Sequence, residues 1–111
     1  MAAFFTKKKT INGAGRKSMI KIQYEEDKNR AAAYDGETEI GESTYSPSED
    51  MWIIDHTLVD ATYGGKGIAG KLVAKLVEKA REKDVKILPL CTFAKREFEK
   101  NAAYRDILKK Q

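Results

Sequence analysis

The sequence is poor in the residues that usually announce chemistry or cross-linking. A single cysteine, Cys91, excludes an intramolecular disulfide. One histidine, His56, and that one cysteine are too few for a zinc site built on His and Cys ligands. No apolar run approaches the roughly 18 residues of a membrane span. The early Ala2–Phe5 stretch is too short for a signal-peptide core. Internal repeats are absent, and the triplet Lys7–Lys9 is the only low-complexity tract. These absences lead us to expect a cytoplasmic protein that does not enter membranes.

Acid is missing from the first 18 residues, which hold Lys7, Lys8, Lys9, Arg16 and Lys17. Without those five cations the remainder has 16 basic and 17 acidic residues, so the net charge of +4 belongs to a tail. A nucleic-acid module carries its cations on a folded face instead. No specific nucleic-acid partner is therefore expected. Asn12-Gly13 and Gly15 are loop signals, and residues 1–18 read as a disordered basic tail. A targeting leader is the other reading, but arginines are few and no amphipathic pattern appears. Residues 19–111 are expected to form one domain, of ordinary hydrophobic content for a globular chain.

Within that domain Met19–Tyr24 alternates, with Ile20, Ile22 and Tyr24 on one face, which predicts a strand. Arg30–Tyr34 is a weaker strand, followed by a hairpin turn at Asp35-Gly36. Thr38–Tyr45 is the third strand, broken at Ser46-Pro47-Ser48. Met51–Val59 is the strongest, and its Met-Trp-Ile-Ile run suggests burial on both faces. From Lys66 to Lys83 the period becomes helical, with Ile68, Leu72, Val73, Leu76 and Ala80 on one stripe. Val85–Leu90 is a fifth strand, and helical stretches follow at about Phe93–Lys100 and Tyr104–Lys110. The expected fold class is α+β. Its sheet is antiparallel at first, and its last two strands run parallel across a right-handed crossover.

The main chemical signal is Tyr63-Gly64-Gly65-Lys66-Gly67-Ile68-Ala69, between the strongest strand and the strongest helix. Glycines let the backbone turn tightly and approach a ligand with no Cβ in the way. The first N–H groups of the helix have no intrahelical partner, and with the helix dipole they suit phosphate oxygens. No Lys-Ser/Thr pair follows the last glycine, and the spacing is not that of a dinucleotide fingerprint. A glycine-rich turn with no ligand is the plainer alternative.

Three strings taken in order are informative: His56-Thr57-x-Val59, then Gly65-x-Gly67-Ile68-Ala69 with Leu72, then Ile87-x-Pro89-x-Cys91. Together they resemble the small, truncated members of the GNAT N-acetyltransferase superfamily, over about residues 20–108. The resemblance implies a single GNAT-like domain with acetyl-coenzyme A (acetyl-CoA) as cofactor and an amine acceptor. It places the coenzyme's pyrophosphate on the turn Gly64, Gly65, Lys66, Gly67, Ile68 and Ala69. It also implies that the fourth and fifth strands splay, and that the pantetheine arm bonds to the free backbone at Thr57, Leu58 and Val59. Pro89 fits such a splay, because proline removes a ladder donor; an ordinary edge strand is the alternative. Two positions depart from the superfamily's pattern. Gly64 stands where Arg or Gln is usual, and where close relatives carry a His-Pro-Glu-Tyr-like string this chain has Asn101-Ala102-Ala103-Tyr104, which keeps only the tyrosine.

Three residues are candidates for catalysis. Cys91, at a strand end, could act as nucleophile or as proton donor to the leaving thiolate; otherwise it is a small buried hydrophobe. His56 could act as general base, or serve as a hydrogen-bonding strand residue. Simple alternation puts it on the face of Ile54 and puts Asp55 on the opposite face. The resemblance implies a tyrosine acid, for which Tyr104 is available, though a core aromatic is the alternative. Lys95, Arg96 and Lys100 share a helix and could meet the coenzyme's 3′-phosphate, or form a solvated face. The chain thus reads as an acetyl-CoA-dependent acyltransferase, with a non-turning coenzyme-binding module as the competing reading.

Overall fold

The computed structural model describes residues 20–109 of the chain. The tail read at residues 1–18 lies outside the described residues. Five strands form one sheet in sequence order: β1 (Ile20–Glu25), β2 (Arg30–Asp35), β3 (Thr38–Pro47), β4 (Met51–Val59) and β5 (Lys86–Pro89). The first four strands are antiparallel, and β5 lies parallel to β4. The crossover between them is helix α1 (Ile68–Lys83); helix α2 (Thr92–Lys100) and a 3-10 segment, Ala102–Ile107, follow β5. This is the α+β arrangement that the sequence predicts.

All helices pack on one face of the sheet. Helix α1 buries Ile68, Leu72, Val73, Leu76, Val77 and Ala80, the stripe expected from its period with Val77 added. These join Ala31, Ala33, Ile40, Tyr45, Trp52, Ile54 and Ile87 from the sheet, and Ala94 and Phe98 from α2, in one core. The Tyr45 and Trp52 rings stack with centroids 4.0 Å apart. The hydroxyls of Tyr45 and Tyr24 bond at 2.7 Å, which satisfies the buried end of Tyr45. Leu72 and Leu76 are fully buried, so truncating either to alanine is expected to cost about 2–5 kcal/mol.

No helix covers the other face of the sheet among the described residues, and its centre is polar. Arg30 is its centre, only 8% exposed, and its guanidinium meets Glu25 at 2.8 Å, Glu39 at 2.9 Å and Glu42 at 2.7 Å. Tyr34 also donates its hydroxyl to Glu25. A buried cation needs such partners, because removing it from water costs several kcal/mol unless its donors are satisfied.

Several expectations are corrected. Strand β4 is buried on one face only: Trp52 and Ile54 are buried, while Asp55, His56 and Leu58 are exposed. Its apolar start misleads because one sheet face carries no helix. Strand β3 continues through Ser46 to Pro47, which pairs opposite Trp52 at the strand end, where a missing donor is tolerated. Helix α1 starts at Ile68, not Lys66, because Gly67 has φ +76°, outside the helical region. The last stretch is the 3-10 segment Ala102–Ile107 and not a further α-helix.

Candidate active site

Strands β4 and β5 part company early. Their ladder joins Met51–Ile54 to Lys86–Pro89 and stops. The N–H groups of Leu90 and Cys91 both reach back to the Ile54 carbonyl at 3.2 Å, which ends the contact. From Asp55 to Val59, β4 therefore has a free edge on its β5 side among the described residues. Pro89 is the last paired residue of β5.

A bulge at the same place sorts the side chains of β4. Tyr45 pairs with Ile54 and Thr44 pairs with His56, so Asp55 is an extra residue with no partner on β3. The bulge reverses the faces that simple alternation assigns. His56 stands on the open face beside Thr44, not with Ile54. Asp55 is also exposed there and accepts a bond from Ser46 Oγ at 3.0 Å. Thr57 returns to the helix-covered face, where its Oγ1 lies 3.0 Å from Ser43 Oγ.

The glycine turn is built from its flanks. Asp60 caps the short 3-10 turn Ala61–Tyr63, accepting from Thr62 N–H at 2.9 Å and Thr62 Oγ1 at 2.7 Å. The Tyr63 hydroxyl bonds to Asp35 at 2.5 Å, which ties the turn to the end of β2. Gly65 and Gly67 follow with φ +78° and +76°, values that L side chains rarely adopt. Helix α1 then begins with no side-chain cap and no acid in its first turn. In front of it is a pocket of ≈ 430 Å³, bordered by Val59, Tyr63, Gly65, Ile68, Phe93 and Glu97.

Cys91 lies where the strands part. Its sulfur is 3.5 Å from Thr57 Oγ1 and accepts the Ala94 N–H at 3.4 Å, so it caps α2. Negative charge gained by that sulfur would face the positive end of the α2 dipole. On the open face, His56 Nε2 is 2.9 Å from Glu42 and Nδ1 is 3.3 Å from Thr44 Oγ1.

The family model described as GCN5-related N-acetyl-transferase matches residues 21–107. The chain belongs to that family. A GCN5-like protein from Staphylococcus aureus, solved by NMR in solution, is 33% identical, with a TM-score of 0.65 over 82% of this chain and 89% of that one. No curated protein matches the chain.

GCN5-related acetyltransferases use acetyl-CoA as the acetyl donor. The residues present in this family member suit that molecule's pyrophosphate. A Cβ built on Gly65 or Gly67 would meet nothing within 4 Å, so the backbone there is open to an approaching group. The uncapped α1 terminus offers unpaired N–H donors to an anion. The fold brings Gly64, Gly65, Gly67, Ile68 and Ala69 to one pocket with Val59, while Lys66 is exposed on the turn. Thr57, Leu58 and Val59 lie on the free edge of β4, with the Leu58 side chain 64% exposed.

Tyr104 is close enough to Glu97, which borders the glycine pocket, to feel its charge. Its ring packs on Phe98 at 5.2 Å, and burial pushes its hydroxyl up from the ordinary tyrosine value. The adjacent Ala103 carbonyl accepts from Arg81 near the end of α1. Arg81 follows Gly70 by eleven residues, about 16 Å along a helix. Of the cations on α2, Lys100 borders the glycine pocket but pairs with Glu97 at 3.1 Å. Lys95 borders a different cavity, with Pro89 and Arg105.

Residue-by-residue reading missed Arg30, Glu42 and the side-chain role of Thr57. Arg30 and Glu42 are twelve residues apart on neighbouring strands, and only the β2–β3 register brings them together. The one available signal is an arginine heading a run of three alanines in a strand, a cation placed where burial is expected.

Proposed function

We propose that the chain transfers the acetyl group of acetyl-CoA to a primary amine. The observation that carries this reading is the free edge of β4 beyond Ile54, with an uncapped helix terminus on one face and His56 on the other. When bound, acetyl-CoA supplies a thioester: the amine nitrogen bonds to its carbonyl carbon, the C–S bond breaks, and the electron pair leaves on sulfur.

The protein's own residues position the reactants and move protons. Amides of the Gly64–Ala69 turn hold pyrophosphate oxygens, with Lys66 at its rim. The free backbone at Thr57, Leu58 and Val59 holds the pantetheine arm as a strand edge holds an added strand. His56 takes a proton from the amine on the open face. Cys91, on the helix-covered face, gives a proton to the departing thiolate or carries the acetyl group on its own sulfur. Tyr104, packed on Phe98, is left out of both tasks. Most of the acceleration comes from holding the amine in line with the carbonyl. Beside His56 the open face carries Glu42 and Asp55, carboxylates that draw a cationic acceptor before it gives up its first proton to solvent.

The test is incubation with acetyl-CoA and a panel of primary amines, peptides included, read by mass spectrometry beside a coenzyme A titration. Acetylated amine with saturable coenzyme binding is expected. Saturable binding with no product from any amine would make the chain a coenzyme-binding module. Absence of binding would overturn both readings.

A further inference from the structure

Glu42 joins the buried cation of the open face to the lone histidine. One of its carboxylate oxygens accepts from Arg30 Nη1 at 2.7 Å, and the other lies 2.9 Å from His56 Nε2. The bond to His56 and then the bond to Arg30 hold the Glu42 carboxyl below its ordinary range. At neutral pH it is a carboxylate, which can only accept hydrogen bonds. The hydrogen between Glu42 and His56 must therefore sit on Nε2. The other ring nitrogen faces Thr44 Oγ1 at 3.3 Å, a hydroxyl that can donate or accept and so does not oppose this tautomer.

Glu42 has little freedom to turn away. Arg30 bonds also to Glu25 and, through both prongs of its fork, to Glu39, which fix the guanidinium while Nη1 holds Glu42. The nearest other acid, Asp55, is engaged by Ser46. On the far side of β4 no strand reaches His56 among the described residues, because the pairing with β5 ends at Ile54.

We propose that Glu42, anchored by Arg30, is a positioning residue that locks His56 in its Nε2–H form, so that Nδ1 is the atom that takes the amine's proton. This rests on the reading of His56 as the base. The amine N–H proton passes to the Nδ1 lone pair as the C–N bond forms. The resulting imidazolium keeps its Nε2–H on Glu42, and solvent later removes the added proton. Holding a histidine base in one tautomer is the task of the carboxylate in serine-protease triads, where losing it costs far more rate than fold.

His56 is the sole histidine, so nitrogen-15 NMR of the imidazole reads one ring without ambiguity. Once the ring is in its neutral form, the wild-type spectrum is expected to show a protonated Nε2 and a bare Nδ1. Glu42→Gln can donate as well as accept, and it should give a mixture of tautomers. Arg30 keeps two carboxylates in that variant, and its backbone amide spectrum reports whether it is folded. Turnover with amine should fall by about tenfold or more, within the range a general base supplies. The KM for acetyl-CoA should stay unchanged, because the glycine turn is on the other face.

A neutral wild-type ring protonated on Nδ1, or one divided between the two tautomers, overturns the proposal without any variant being needed. So does a Glu42→Gln spectrum identical to wild type. Full turnover in His56→Ala overturns the base reading itself, and with it the role of Nδ1, whatever the spectrum shows.

Discussion

Replacing Gly67 with alanine perturbs two things, and a second replacement separates them. The first is backbone strain. Gly67 has φ +76°, and an L side chain in that region costs about 1–2 kcal/mol. A domain of this size loses about 4–8 °C of Tm per kcal/mol, so a fall of roughly 5–15 °C is expected. The second is obstruction. The added Cβ meets no protein atom within 4 Å and instead occupies space in front of the α1 terminus, where the pyrophosphate is to approach. Loss of one hydrogen bond to a charged group costs about 1.5–3 kcal/mol, which is roughly 10- to 150-fold in Kd.

Gly36 supplies the control. It has φ +63° and nothing within 4 Å of its Cβ position, but it lies in the β2–β3 turn and not at the glycine pocket. Gly36→Ala should match the Tm loss of Gly67→Ala and leave coenzyme A affinity untouched. Thermal unfolding and calorimetric titration of both variants read the two effects. If Gly67→Ala binds coenzyme A as tightly as Gly36→Ala, the turn does not hold the pyrophosphate, and the reasoning fails at its central residue. Gly67→Val should be worse on both counts, since β-branched residues are genuine outliers at positive φ.

Cys91→Ala should bind coenzyme A within about tenfold of wild type, a change of about 1.4 kcal/mol or less, but lose far more in transfer rate. It should also lose about 1 kcal/mol of stability as the α2 cap disappears, whereas Cys91→Ser keeps the cap; full activity in Cys91→Ala would leave the thiol as packing and capping alone. Tyr104→Phe should retain most of the transfer rate, and a loss beyond about tenfold would make the hydroxyl the proton donor after all. Acid should unfold the protein through its Arg30 cluster. Glu25 and Glu42 are held below their ordinary value of 4.5, so the stability they add is fully present above that pH. It is lost as pH falls through their folded values, and Glu42→Gln should flatten the slope of stability against pH below about 4.5.

Long-period signals were legible because they rest on local physics. The α1 stripe, the Asp35-Gly36 turn and the strand order follow from spacing and from residues that permit positive φ. The glycine turn was legible for the same reason: only glycine takes the conformations at positions 65 and 67 without strain. Arg30 and Glu42 were not, since nothing within a few residues of either foretells the other. A three-carboxylate shell around one guanidinium is assembled by strand register, which a single chain read in order does not display.

The bulge at Asp55 is the deeper case. Alternation along a strand assumes that each residue has one partner, and on that assumption His56 shares the core face with Ile54 and Thr57 faces solvent. One unpaired residue exchanges those faces for everything after it. Thr57 then meets Cys91 on the side of the glycine turn, and His56 meets Glu42 on the side without helices. In the transfer we propose, one group serves the donor and another the acceptor. Regular alternation would put His56 and the glycine turn on one side of the sheet and leave the other face without a histidine. The extra residue divides them between two faces of β4, at the point where β5 has already left its edge open.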